Sequence, residues 1–72
     1  GCLNTYLVKK SKKLVCKVKA PSKLYAVVLA WEKVFRIANC EDVMNKFGAD
    51  KTFLFAELKL GSAGYYLDKE AA

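Results

Sequence analysis

Histidine is absent from this 72-residue chain, proline occurs once and glycine four times, and residues 1–31 contain no acidic side chain. Each absence excludes something. Without an imidazole, the Ser-His and Cys-His nucleophile systems and the mixed Cys/His zinc sets are unavailable. Scarce proline and glycine, with 54% hydrophobic residues, exclude a low-complexity or disordered segment. The longest apolar run, Leu24 to Trp31, is eight residues, far short of the roughly 20 that cross a bilayer. No secretory signal pattern is visible at the N-terminus.

What is present fits a single domain over 1–72, near the lower size at which a core holds unaided. Because the chain begins with Gly1 and not methionine, it is expected to be a processed protein or part of a longer one. Cys2, Cys16 and Cys40 cannot all pair within the chain, and their spacing fits no zinc pattern. Reduced thiols and a cytoplasmic, reducing location are the expectation. A Cys2–Cys16 bridge across neighbouring strands is the alternative.

Charge is the strongest signal. The net charge is +6, yet residues 1–31 hold seven lysines (Lys9, Lys10, Lys12, Lys13, Lys17, Lys19, Lys23) and residues 32–72 hold six basic against seven acidic groups. A near-neutral body therefore carries a positive N-terminal segment, a distribution that attracts acidic partners.

Along the chain, "LNTYLV" (3–8) reads as a strand and "KKSKK" as a solvated turn. In "KLVCKVKA" (13–20), Leu14, Cys16, Val18 and Ala20 alternate with Lys13, Val15, Lys17 and Lys19, the pattern of a strand with one wet side. Residues 3–20 are thus expected to form a basic antiparallel hairpin. "KLYAVVLAWEKVFRIAN" (23–39) admits two readings. As a helix capped by Ser22, it aligns Leu24, Val27, Val28, Trp31, Val34, Phe35 and Ala38 on one stripe. As two strands turning at Glu32-Lys33, it uses strand formers and a run suited to burial on both sides. The strand reading is favoured, although Glu32-Lys33 lacks the glycine or asparagine of a tight hairpin.

Beyond it, "NCEDVMNKFG" has Asn39 as a cap, Glu41 and Asp42 in a first turn, an apolar stripe of Cys40, Val43, Met44 and Phe47, and a stop at Gly48. That predicts a helix. "KTFLFAELKL" (51–60) reads as a strand, "GSAG" (61–64) as a hairpin loop and "YYLD" as a returning strand, with a frayed "KEAA" tail. Residues 23–68 then run strand, strand, helix, strand, strand. If 23–38 were helical, 3–20 would supply the first two strands and the short second helix would be an insertion. Either way the expected class is α+β: a small antiparallel or mixed sheet with one main helix, β-grasp-like.

The run "RIANCEDVMNKFGADKTFLFAELKLGSAGYYLDKEAA" resembles ubiquitin-like interaction modules of the Ras-association and FERM first-lobe types. The resemblance rests on a strand ending in "RIA", a helix closing on glycine, "FLFAEL", and a turn into "YYLDKE", about half the chain. The helix is shorter than in those modules, and a last strand is missing. The resemblance implies a non-catalytic module that pairs an edge strand with a partner such as a small GTPase. Lys33 and Arg36 on the strand before the helix, with Lys46 on the helix, would be the contacts. With a helical 23–38, the contact strand becomes 13–20, with Lys13, Lys17 and Lys19. Lysines on an edge strand also guard against aggregation, the plainer role.

No catalytic set can be assembled. Glu41 and Asp42 are neighbours on a helix and serve better as dipole partners than as an acid/base couple. Cys40, near a helix N-terminus, is either an activated thiol or, given its apolar stripe, a buried structural one. No cofactor or metal is expected, and no enzyme activity. The leading expectation is a module binding an acidic protein surface. The alternative is a nucleic-acid-binding protein that contacts phosphates through the hairpin lysines Lys9, Lys10, Lys12, Lys13, Lys17 and Lys19. It would be sequence-blind, because the basic segment has no arginine and only Tyr6 for stacking before residue 20.

Overall fold

The computed structural model describes residues 2–70. Two strands, β1 (Asn4–Lys10) and β2 (Lys13–Ala20), lead into three helices, α1 (Lys23–Phe35), α2 (Cys40–Phe47) and α3 (Ala49–Ser62), and a last strand, β3 (Tyr65–Lys69). The sheet is antiparallel throughout, in the order β2-β1-β3. α1 packs on β1 and β2, α3 on β3 and on α1, and α2 on α3. Among the described residues no helix is long and apolar enough to cross a membrane.

The α+β class and the antiparallel sheet stand, but the β-grasp arrangement does not. Three helices of 13, 8 and 14 residues replace the one main helix, and three strands replace the six of the favoured reading. Two segments account for the difference. Residues 23–35 form one helix, so the pair of strands turning at Glu32-Lys33 is not formed. Both of those residues are good helix formers, and nothing there supplies a positive φ. The helix buries Ala26, Val27, Val28, Ala30 and Trp31. Ala26 and Ala30 are fully buried, and their small side chains allow α1 to pack closely. A stripe drawn through the large residues passes them over, and it includes Phe35, which is exposed. The helix ends with Arg36 in the left-handed region (φ 54°), and the Arg36 and Ile37 N–H groups both donate to the Glu32 carbonyl, a Schellman-type stop.

Residues 51–60, read as a strand, lie inside α3. Ala56, Glu57, Leu58, Lys59 and Leu60 are all strong helix formers. Thr52, Ala56 and Leu60 recur at intervals of four and form the buried seam. The Thr52 hydroxyl donates to the Gly48 carbonyl at 2.9 Å, which satisfies it inside the helix. Gly61 and Ser62 belong to α3, so the loop is only Ala63 and Gly64. Of the tail expected to be frayed, Lys69 ends β3 and the Glu70 N–H donates to the Thr5 carbonyl at 2.9 Å, while residues 71 and 72 lie outside the described residues.

The predicted hairpin, the helix from Cys40 to Phe47 closing on Gly48, and the strand at "YYLD" are present. The Asn39 side chain makes no capping bond. The core joins Tyr6, Val8, Val18 and Ala20 of the sheet to Ala26, Val27, Val28, Ala30 and Trp31 of α1 and to Ala56 and Leu60 of α3.

Candidate functional site

The site is built on β1 and β2. Lys10 faces Lys13 across a two-residue loop, Ser11-Lys12, whose φ angles are 53° and 64°. Two successive positive φ values make a type I′ turn, the form that matches strand twist. Lys12 is thereby carried to the tip, between Lys10 and Lys13. The ladder then slips by one residue: Val8 pairs with Cys16, but Lys9 pairs with Leu14, so Val15 is the extra residue of a β-bulge. The bulge corrects the expected faces. Leu14 lies across from Lys9 on the outer side, not with Cys16, Val18 and Ala20, and is 52% exposed. Lys13 correspondingly lies across from Lys10.

Backbone groups can be placed by the alternation of an antiparallel ladder, in which a residue turns its N–H and C=O to the same side. The Thr5 carbonyl accepts from Glu70, so Thr5 is bonded toward β3 and its pairing with Lys19 on β2 is of the non-bonded type. The same holds two residues on, for Leu7 opposite Lys17. Lys17 and Lys19 therefore turn both their amides and their carbonyls toward the open edge of β2. Lys33, from α1, donates its ammonium to the Lys17 carbonyl at 3.4 Å, a bond possible only because that carbonyl faces outward.

Some of the lysines are answered by acids. Lys9 Nζ lies 3.2 Å from Asp68 Oδ2, and Lys17 Nζ lies 3.4 Å from Glu70 Oε1. Both pairs are solvent-exposed and worth about 0.2–1 kcal/mol each. Among the described residues, no other ion pair forms within 4.0 Å. Lys10 rests over the Tyr65 ring, 4.9 Å from its centroid. Lys12, Lys13, Lys19 and Lys23 are exposed.

The remaining predicted contacts are dispersed. Lys33 and Arg36 sit in and just after the last turn of α1, not on a strand; Lys33 reaches β2 and Arg36 does not share its bond. Lys46 is on α2, which packs on α3 away from the sheet, and it covers the Phe47 ring at 5.3 Å. The hairpin thus carries Lys9, Lys17 and Lys19 on its outer side, Lys10 and Lys13 on the side of Val8, and Lys12 at the tip; Lys33 reaches it from α1, and Arg36 and Lys46 stay on the helical segment.

The thiols are free. Asn4 pairs with Ala20 and Val8 with Cys16, so Cys2 lies roughly 20 Å along the ladder from Cys16, too far to bridge. Cys40 is buried, with its Sγ 3.9 Å from the Val28 carbonyl. Burial, and then the nearby Glu32 carboxylate, push its pKa above the ordinary 9.0. Its place at the start of α2 does not activate it.

Two features escaped the sequence. One is the pair of acids Asp68 and Glu70, which meet lysines only because β3 returns beside β1. The other is an apolar surface on the helices. Leu54 and Leu58 are 63% and 66% exposed, and a cleft of about 380 Å³ between the helices is lined by Trp31, Val43, Phe47, Thr52 and Phe55, with Lys51 beside them. No protein-family model, curated protein or solved structure matches the chain. Of the elements quoted for the resemblance to ubiquitin-like modules, "RIA" follows the helix α1 and "FLFAEL" lies within α3, so neither is a strand.

Proposed function

We propose that the protein is a non-catalytic interaction module whose β1–β2 hairpin binds an acidic surface of another protein. The observation that carries this reading is the set of hairpin ammonium groups at Lys12, Lys13 and Lys19 that no described carboxylate answers, while those at Lys9 and Lys17 are held by Asp68 and Glu70. The two acids also favour protein over nucleic acid. A run of phosphates laid across the sheet would meet both carboxylates, whereas a folded acidic partner can address the tip and the β2 edge alone. Free thiols at Cys2 and Cys16 suit a reducing compartment such as the cytosol. On the resemblance, a small GTPase is the first partner to try.

The test is a binding titration with polyglutamate and with duplex DNA at two salt concentrations, repeated with Lys12→Glu/Lys13→Glu. Both positions are exposed at a hairpin tip, so the double variant is expected to fold. Binding of polyglutamate that weakens at least tenfold in the variant supports the reading. Tighter binding to DNA, with a steep salt dependence, would replace it with the nucleic-acid alternative. Indifference to the variant would remove the hairpin tip from either role. Nucleotide-state-dependent binding in a panel of small GTPases would name the partner class.

A further inference from the structure

We infer that the open edge of β2 takes an extended acidic segment of a partner chain as a fourth strand, paired to the backbone of Lys17 and Lys19. This rests on the proposed acidic partner and specifies how it is held. β2 has β1 on one side and no strand on the other. Its outward-facing donors and acceptors are those of Lys17 and Lys19, two residues apart, the repeat with which an added strand bonds; of these the Lys17 carbonyl already accepts from Lys33.

Charge selects the occupant. The side chains of Lys17 and Lys19 lie on the outer face of the sheet. A strand laid beside them would place its own same-face side chains about 5 Å away. The opposite face of that strand would meet Lys33, whose ammonium already touches the edge at the Lys17 carbonyl. Lys19 on the outer face and Lys33 on the other thus flank the added strand, while Lys17 is already held by Glu70, and Glu or Asp is favoured beside Lys19 and Lys33. A second copy is disfavoured, because pairing β2 with β2 of another molecule sets lysine beside lysine. The β3 edge of another molecule is a poor match too, since Asp68 and Glu70 are already engaged by Lys9 and Lys17. The bulge at Val15 and the Lys33 contact keep the edge from pairing indiscriminately, as edge lysines and bulges commonly do. An incoming strand must displace the Lys33 ammonium from the Lys17 carbonyl, and its own amide takes that place.

The experiment uses the full chain and an eight-residue peptide alternating threonine and glutamate. The same peptide N-methylated at every second residue keeps its charge but loses the amides on one edge; methylating the other set strips the opposite edge. Binding is read by fluorescence anisotropy, and amide hydrogen exchange is followed by NMR. The expected result is that the parent peptide binds and slows exchange at Lys17 and Lys19 at least tenfold. One of the two methylated peptides should bind at least tenfold more weakly. Equal binding by all three peptides, or protection at β3 in place of Lys17 and Lys19, overturns strand addition while leaving the acidic-partner reading intact. Protection at Lys17 and Lys19 that grows with protein concentration without peptide would assign the edge to a second copy and also overturn it. No binding of the peptide, where polyglutamate binds, overturns it as well. If neither binds, the proposed function falls with it.

Discussion

β2 and α3 carry nearly the same kind of sequence and fold differently. "KLVCKVKA" and "FLFAELKL" both alternate apolar with charged or bulky residues, and both read as strands. β2 is a strand, with Cys16, Val18 and Ala20 inward and Lys17 and Lys19 in water. α3 is a helix in which Leu60 is buried and Leu58, two residues away, is 66% exposed. Period two identifies a strand only when one of the two sets is hidden. In β2 the exposed set is lysine, and the alternation reports burial. In α3 the alternating leucines occupy opposite faces, and the alternation reports nothing. The better discriminator was composition, since the run Ala56 to Leu60 consists of strong helix formers while β2 holds two valines.

The contrast within α3 is broken most forcefully at Leu60. Leu60→Ala is expected to cost about 2–5 kcal/mol, and Leu58→Ala less than about 0.5. For a chain of this size the total stability is about 4–11 kcal/mol, so the first change approaches unfolding and the second does not. Urea denaturation of the two variants measures it. Equal costs would mean that the two leucines share a face, as in a strand and not in a helix.

A smaller effect is expected at the hairpin turn. Ser11 and Lys12 both hold positive φ without being glycine or asparagine, at a cost of about 1–2 kcal/mol per residue in the left-handed region. Ser11→Asn/Lys12→Gly is expected to stabilise the protein by about 1–2 kcal/mol in the same assay. If the turn were not of the I′ form, the glycine would instead loosen the chain and stability would fall. Smaller again is Gly61→Ala. A Cβ there meets nothing within 4 Å, and φ is not positive, so the exchange is expected to gain about 0.5–1 kcal/mol of helix stability.

These contrasts also show what could be read beforehand. The hairpin was legible because two runs of strand formers flank a polar turn and Lys17 and Lys19 mark the wet face of the second. α2 was legible because acids begin it and Gly48 ends it. The face of α1 was not, because two of its fully buried residues, Ala26 and Ala30, carry little weight in a hydrophobic pattern. The bulge at Val15 was invisible, since it depends on which residue of β1 lies opposite and leaves no mark on β2 alone. The pairing of Lys9 with Asp68 and Lys17 with Glu70 required knowing that β3 returns beside β1 across the whole helical segment. The charge asymmetry was legible, whereas its partial neutralisation was a property of topology.

The smallest effect at neutral pH concerns Cys40, where two physical influences compete. The start of a helix favours a thiolate, while burial and a nearby carboxylate disfavour it. Burial beneath the Val28 carbonyl, reinforced by Glu32, wins and raises the pKa. The thiol's folded-state pKa lies above its unfolded value of 9.0, so its proton-linked stability is fully present below pH 9. It is lost as the pH rises from there through the folded-state pKa. The stability difference between the native protein and Cys40→Ala is therefore expected to be flat from pH 6 to about 9 and to shrink above it. A thiol reagent at pH 8 should modify exposed Cys2 rapidly and Cys40 only as fast as the helices open. Had the helix terminus prevailed, the sign would reverse: the difference would grow with pH up to 9, and Cys40 would react first.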